Sequence, residues 1–214
     1  KHWGDCFLQV STKANLTTTM EPFLQKLKDK KIILASGSPR RQELLKGLEV
    51  EFEVKKLDVD ETVPEEIPAE YVAAYLSKLK AESYPEELKE NEILITSDTV
   101  VIERGYILGK PKTEEEAFDM LKSLSGTYHT VMTAVTLMDR NKKVTLEDEA
   151  TVTFRFLEEE EIWHYIRKYK PFDKAGAYGI QEWIGYMGIN SIQGSYYTVM
   201  GFPMHLVYEQ LKKW

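Results

Sequence analysis

Three short stretches of this chain combine residue types suited to anion chemistry. The first is Ser36-Gly37-Ser38-Pro39-Arg40-Arg41, directly after the apolar run Ile32-Ile33-Leu34-Ala35. Small residues between a strand and a helix leave backbone N–H groups free at the helix start, where anions bind. Gly37 permits close backbone approach. Ser38 is a candidate N-cap, and Pro39 suits the first helical position. Two guanidinium groups in the first turn oppose the helix dipole, so helix stability does not account for them. An anion between them does, phosphate above all. The competing reading is a surface turn with two solvated arginines. The second stretch is Ser97-Asp98-Thr99, at the end of another apolar strand. A carboxylate there faces the crevice of an open α/β sheet, and can hold a metal ion or take a proton from water. A turn-forming aspartate is an equally ordinary use of the residue. The third is Gly109-Lys110-Pro111, a lysine in a loop stiffened by proline.

Further motifs follow in a fixed order. Ala35 to Arg41 is followed by Leu44-Leu45, then by Ser97-Asp98-Thr99-Val100-Val101 and Leu108-Gly109-Lys110-Pro111. Next come Leu124-Ser125-Gly126-Thr127-Tyr128-His129 and Asp173-Lys174-Ala175-Gly176-Ala177-Tyr178-Gly179-Ile180-Gln181. The last is Ile192-Gln193-Gly194-Ser195-Tyr196, followed by Val199-Met200-Gly201-Phe202-Pro203. Together, over roughly residues 30 to 212, they resemble the signature of the Maf family of nucleoside triphosphate pyrophosphatases. The resemblance implies a mixed-sheet α/β fold with flanking helices, related to the inosine triphosphatase type, with two lobes around a cleft. It also implies a homodimer, a role in sanitising nucleotide pools, and a link to division arrest.

Cleaving a nucleoside triphosphate sets physical demands. Close to four negative charges must be neutralised, and a water must be oriented and deprotonated. A divalent metal on one or two carboxylates is the usual aid. By resemblance, Asp98 and Glu61 are catalytic, Asp98 as metal ligand or general base and Glu61 at the metal or the water, the metal being magnesium or else manganese. Glu61 lies in Asp58-Val59-Asp60-Glu61, where Asp58 and Asp60 compete for the role and a solvated acidic loop is the plain alternative. Ser36, Ser38, Arg41, Lys80 and Lys110 match the phosphate-binding positions. Lys78 competes with Lys80, and an exposed surface lysine is the plain alternative for both.

Arg40, Thr99 and Gln181 are assigned to the base and the rest of the substrate. Arg40 after Pro39, and Ala177 to Gln181, resemble the group acting on dTTP and UTP rather than on 7-methyl-GTP. A glutamine amide offers a donor and an acceptor to the O4 and N3–H edge shared by uracil and thymine. The alternatives are a 7-methyl-GTP pyrophosphatase, or a nucleotide-binding regulator of cell division without turnover. Asp173 and Lys174 form either a structural ion pair or a substrate contact. Glu182 departs from the family, which usually has glycine there; a positive φ would strain it.

These residues need a scaffold, and the hydropathy pattern supplies one. A strand at Ile32–Ala35 leads into a helix at Pro39–Leu48, then an extended stretch at Phe52–Asp58. A helix spans Ala69–Ser83, and a strand at Ile93–Thr96 enters the Asp98 segment. A hairpin follows at Glu103-Arg104-Gly105-Tyr106. Thr113–Leu124 reads as a helix with Thr113 as N-cap and Glu116 completing a capping box. Val131–Met138 and Val144–Phe156 form a hairpin, followed by helices at Glu158–Tyr169 and Met204–Lys213. In the former helix, Ile162 and Ile166 read as core, and its acidic start and basic end suit the dipole. Such alternation with hairpins predicts an α/β fold.

Other readings fall away. Gly105 to Lys110 is one residue short of a P-loop, and Pro111 replaces the magnesium-binding hydroxyl. His2, His129, His164 and His205 lack metal-ligand spacing. The chain has 214 residues, enough for one full core without disulfides. A net charge of −7 argues against nucleic acid as a partner, and no apolar run is long enough to span a membrane. Cys6 is the only cysteine, which suits a reducing cytoplasm. Residues 1–19 lack any helix or strand period and read as an extension outside the fold, with 20–214 as one domain.

Overall fold

A computed structural model describes residues 22–214. The expectation for residues 1–19, and those for His2 and Cys6, lie outside the described residues. Helix α1 (Pro22–Leu27) leads into strand β1 (Lys31–Leu34) and helix α2 (Pro39–Lys46). Strand β2 (Phe52–Val54) follows, then a 3-10 turn (Ala69–Tyr71) running into α3 (Val72–Glu82). After β3 (Glu92–Glu103) and β4 (Tyr106–Leu108) come α4 (Glu114–Leu124), β5 (Tyr128–Met138) and β6 (Lys143–Phe154). The chain ends with α5 (Glu159–Tyr169), α6 (Trp183–Gly188), β7 (Ile189–Gln193), α7 (Tyr196–Met200) and α8 (Met204–Leu211).

Seven strands form one mixed sheet in the order β2-β1-β3-β5-β6-β7, with β4 added to β3. β1 is parallel to β2 and β3, and the remaining pairs are antiparallel. β1 is an unbroken apolar run because both its faces are covered. Ile32 and Leu34 pack with Phe23, Leu45, Phe202 and Val207 on one side. Ile33 packs with Ala81, Leu88 and Leu94 on the other. A separate core joins the far halves of β3, β5 and β6 to α4 and α5, with Ile162 and Ile166 fully buried in it. The long antiparallel strands run through both packed regions, and the cleft lies between them.

Local chemistry departs from expectation at several points. Ser38 stands at the N-cap of α2 but makes no side-chain cap bond. Its own N–H instead donates to Ser36 Oγ at 3.2 Å. Thr113 does cap α4, accepting from the Glu116 N–H at 3.1 Å, but the Glu116 carboxylate reaches the Lys112 N–H at 2.7 Å. The reciprocal capping box belongs to Glu158 and Glu161 at the start of α5. The strand expected to stop at Thr96 continues to Glu103. The stretch expected to be extended to Asp58 is a strand only as far as Val54.

Candidate active site

The cleft is a gap in the sheet. One edge of β3 pairs with β5 from Leu94 to Ile102. Its other edge pairs with β1 up to Ile95 and with β4 only from Val101. Between those points the edge has no strand beside it among the described residues. A cleft of about 380 Å³ opens there. Asp98 therefore sits in mid-strand, opposite Ala134 of β5, and not at a strand end. It still reaches the crevice, because β1 has stopped.

Arg41 satisfies the backbone groups exposed by the gap. From the first turn of α2 its Nη1 donates to the Ser97 carbonyl at 2.7 Å, and its Nε to the Gly201 carbonyl at 2.8 Å. Nη1 also reaches Ser36 Oγ at 3.4 Å, and Nη2 reaches Thr99 Oγ1 at 3.2 Å. A guanidinium has five N–H donors, so these contacts leave one Nη2 hydrogen for a ligand. Burial pulls Arg41 below its ordinary pKa, while the charges of Asp98 and Glu61 push it back up. Gly201 takes φ +98°, and a Cβ there would lie 3.0 Å from Thr99 Oγ1. Glycine thus lets its carbonyl turn toward Arg41. Thr99 Oγ1 also bonds Thr133 Oγ1 at 3.0 Å, which ties the motif to β5.

Across the cleft the charged groups pair with each other. Lys80, on α3, places Nζ 3.0 Å from Glu61 and 3.4 Å from Asp98. The rival choices separate: Lys78 pairs at 4.0 Å with Glu82, and Asp60 accepts from the Thr62 N–H at 3.0 Å. Glu61 and Lys80 line the cleft, and their rivals Asp58, Asp60 and Lys78 do not. Lys110 lines it from the loop after β4 and makes no ion pair among the described residues. Ser36 and Ser38 line it from the loop before α2, Arg40 from the first turn of α2, and Gln181 from the segment before α6. The fold thus brings every proposed site residue to one cleft.

The segment from Asp173 to Glu182 is internally wired. Lys174 Nζ meets Asp173 at 2.7 Å and Glu182 at 3.2 Å. Arg40 lies 3.4 Å from Asp173. Burial pushes the Asp173 carboxyl up, but the bond from Lys174 and the charges of Lys174 and Arg40 hold it below its ordinary value. Glu182 has φ −93°, so the feared strain is absent. Tyr178, which lines the cleft, bonds His129 Nε2 at 2.7 Å from beneath. Burial lowers the His129 pKa to about 4, so it is neutral at pH 7.

Sequence reasoning gave no role to Gly201, Tyr178, Glu182 or Tyr165. The Gly-Phe-Pro run is a signal for the first of them, while the others declare themselves only through distant partners.

The donor set bears on a metal. Among the described residues no three His, Cys, Asp or Glu side chains gather to cage an ion. Two carboxylates at the cleft, Glu61 and Asp98, suit magnesium, which keeps few protein ligands and takes others from phosphate.

Comparison with known proteins places the chain. The family model described as Maf-like protein matches residues 31–214. The dTTP/UTP pyrophosphatase of Flavobacterium johnsoniae is 51% identical over 187 residues, covering 87% of this chain and 96% of its own. Its counterpart of the same name from Parabacteroides distasonis is 47% identical, covering 88% and 98%. Among solved structures, the Staphylococcus aureus Ham1 protein overlays 58% of this chain and 72% of its own at 16% identity and a TM-score of 0.40, too loose a likeness to argue from. The extent of the family match and the identity to these relatives agree: the chain belongs to the Maf-like protein family.

Proposed function

We propose that this chain is a nucleoside triphosphate pyrophosphatase that hydrolyses dTTP and UTP to the monophosphate and pyrophosphate. The observation that carries the reading is the gap in the sheet, where Asp98, Glu61 and Lys80 line one cleft together with Arg41. The relatives named dTTP/UTP pyrophosphatase support the same reading.

The residues divide the work. Lys80, Lys110 and the remaining Nη2 hydrogen of Arg41 face the triphosphate, with Ser36 and Ser38 in the loop beside it. Positive groups fixed before substrate arrives stabilise charge on the leaving pyrophosphate without reorganising. Glu61 and Asp98 would hold a magnesium or manganese ion, which when bound neutralises phosphate oxygens and acidifies water. Asp98, on a rigid strand, accepts the proton from the attacking water. Arg40 and Thr99 contact the base and sugar side. Gln181 Oε1 is buried without a hydrogen-bond partner among the described residues, an unpaired acceptor that a pyrimidine N3–H would satisfy once the side chain turns to the cleft. Cytosine has no N3–H, so its edge leaves buried groups unpaired, and the cost is large. A homodimer comes with the family resemblance, a cytoplasmic setting with the cysteine usage, and a single unit over residues 20–214 with the sequence pattern.

The test is pyrophosphate release from dTTP, UTP, CTP, GTP and 7-methyl-GTP, with and without Mg²⁺. Fast dTTP and UTP, slower CTP and poor 7-methyl-GTP are expected, all dependent on metal. If 7-methyl-GTP were the best substrate, the base assignment would fall. Tight nucleotide binding without pyrophosphate release would make the protein a nucleotide-binding regulator instead.

A further inference from the structure

Gln181 lies between two residues that are held by one buried hydroxyl. Tyr165, on α5, is fully buried. Its Oη accepts the Gly179 N–H at 3.0 Å and donates to the Glu182 carboxylate. Gly179 and Glu182 flank the pair Ile180-Gln181, so the base-reading side chain springs from a backbone anchored at each end. Glu182 also meets Lys174, whose ammonium holds Asp173, whose carboxylate in turn faces Arg40. The loop folds tightly onto this pair: a Cβ on Gly179 would lie 3.0 Å from both Glu182 Cδ and Lys174 Cε. Neither Tyr165 nor Glu182 lines the cleft.

We infer that Tyr165 and Glu182 are positioning residues for base selection, holding the segment that carries Gln181 and, through Lys174 and Asp173, Arg40. This rests on the assignment of Gln181 and Arg40 to the base. Arg40 then ends a chain of ion pairs and hydrogen bonds that starts at Tyr165, and Gln181 sits in the segment that the same hydroxyl anchors. Loosening that anchor costs a base that pairs with Gln181 and costs little for one that does not. The phosphates, held across the cleft by Lys80 and Lys110, are unaffected. The signature is a loss of discrimination, not a loss of turnover.

The experiment compares Tyr165→Phe and Glu182→Gln with wild type, measuring kcat and KM for dTTP and CTP. Phenylalanine removes the oxygen and frees the Gly179 N–H. Glutamine still accepts from Tyr165 but loses its charge toward Lys174. For Tyr165→Phe, KM for dTTP should rise about tenfold with kcat within about threefold. Its kcat/KM for CTP should stay near wild type, so the dTTP/CTP ratio falls about tenfold. Glu182→Gln should shift the ratio the same way by less, and carries the test if Tyr165→Phe fails to fold. Equal losses on both substrates would show general loosening and overturn the inference, as would unchanged kinetics. Calorimetric binding of non-hydrolysable UTP and CTP analogues must show the same loss of preference. A wild type that releases no pyrophosphate defeats the pyrophosphatase reading. If its binding preference for the UTP analogue still collapses in the variants, positioning stands without it. A wild type that hydrolyses dTTP and CTP alike defeats the inference alone.

Discussion

The two walls of the cleft are built on opposite plans. On one wall, Arg41 is bonded to two main-chain carbonyls and two hydroxyls, and the Asp173–Glu182 segment is tied into α5. On the other, Lys80 holds Glu61 and Asp98 by charge alone, and Lys110 has no ionic partner among the described residues. Groups bonded to backbone keep their geometry whether or not a ligand is present. Groups that pair only with each other can exchange partners when a more highly charged ligand arrives. The fixed groups are thus suited to setting the position of the base and of the phosphates near Arg41, and the adjustable ones to taking up metal and the remaining phosphate charge.

The largest effect should come from Asp98 on the adjustable wall. Asp98→Asn keeps the shape and removes charge and basicity, and should lower kcat by about 10²–10⁴-fold with little change in unfolding midpoint. Near wild-type turnover in a clean preparation would take Asp98 out of the mechanism.

Behind the fixed wall, His129 links the site to pH. Its pKa of about 4 in the folded protein lies below the ordinary 6.5. Between those values the unfolded chain binds the extra proton, so stability falls as pH falls through this window and is fully present above it. The loss is on the order of 3 kcal/mol by pH 4. Denaturant titrations of wild type and His129→Gln at pH 7 and pH 4 isolate this contribution from that of the carboxylates. An unchanged difference between the two proteins across that range would contradict the assignment.

Gly201→Ala attacks the fixed wall itself. The positive φ and the 3.0 Å approach to Thr99 Oγ1 should cost about 1–3 kcal/mol of stability. Weaker nucleotide binding should accompany it, because the Arg41 knot opens. The smallest change belongs to Lys110→Gln: KM for triphosphate up several-fold, stability within about 0.5 kcal/mol. A stability loss as large as that of Gly201→Ala would erase the distinction between the walls.

Much of the scaffold was legible because local and global signals agree. The apolar run Ile32–Ala35 and Pro39 mark β1 and α2, and Thr113 marks α4. Asp98 was misplaced because Ser97-Asp98 has turn chemistry, whereas pairing with β5 and the β-branched Thr99–Ile102 run keep the strand extended. β7 and the short helices α6 and α7 carry too few residues for any period to show. Most residues that line the cleft stand in the quoted motifs, and Glu61 and Lys80 follow from the family pattern alone, but the gap that gathers them was not legible. It depends on where β1 ends and β4 begins, which the register sets. Arg41 looked like a plain phosphate ligand because its carbonyl partners belong to residues whose side chains say nothing about them.

One of those partners has a consequence in time. Arg41 and Gly201 are separated by 160 positions in the chain. At about 5–20 residues per second, a ribosome adds Gly201 roughly 8–32 s after Arg41. Throughout that interval the N-terminal strands and the guanidinium exist without the carbonyl that fixes them. A nascent chain therefore carries the Ser36–Arg41 segment long before it carries a finished site, which forms only once Gly201 has been added.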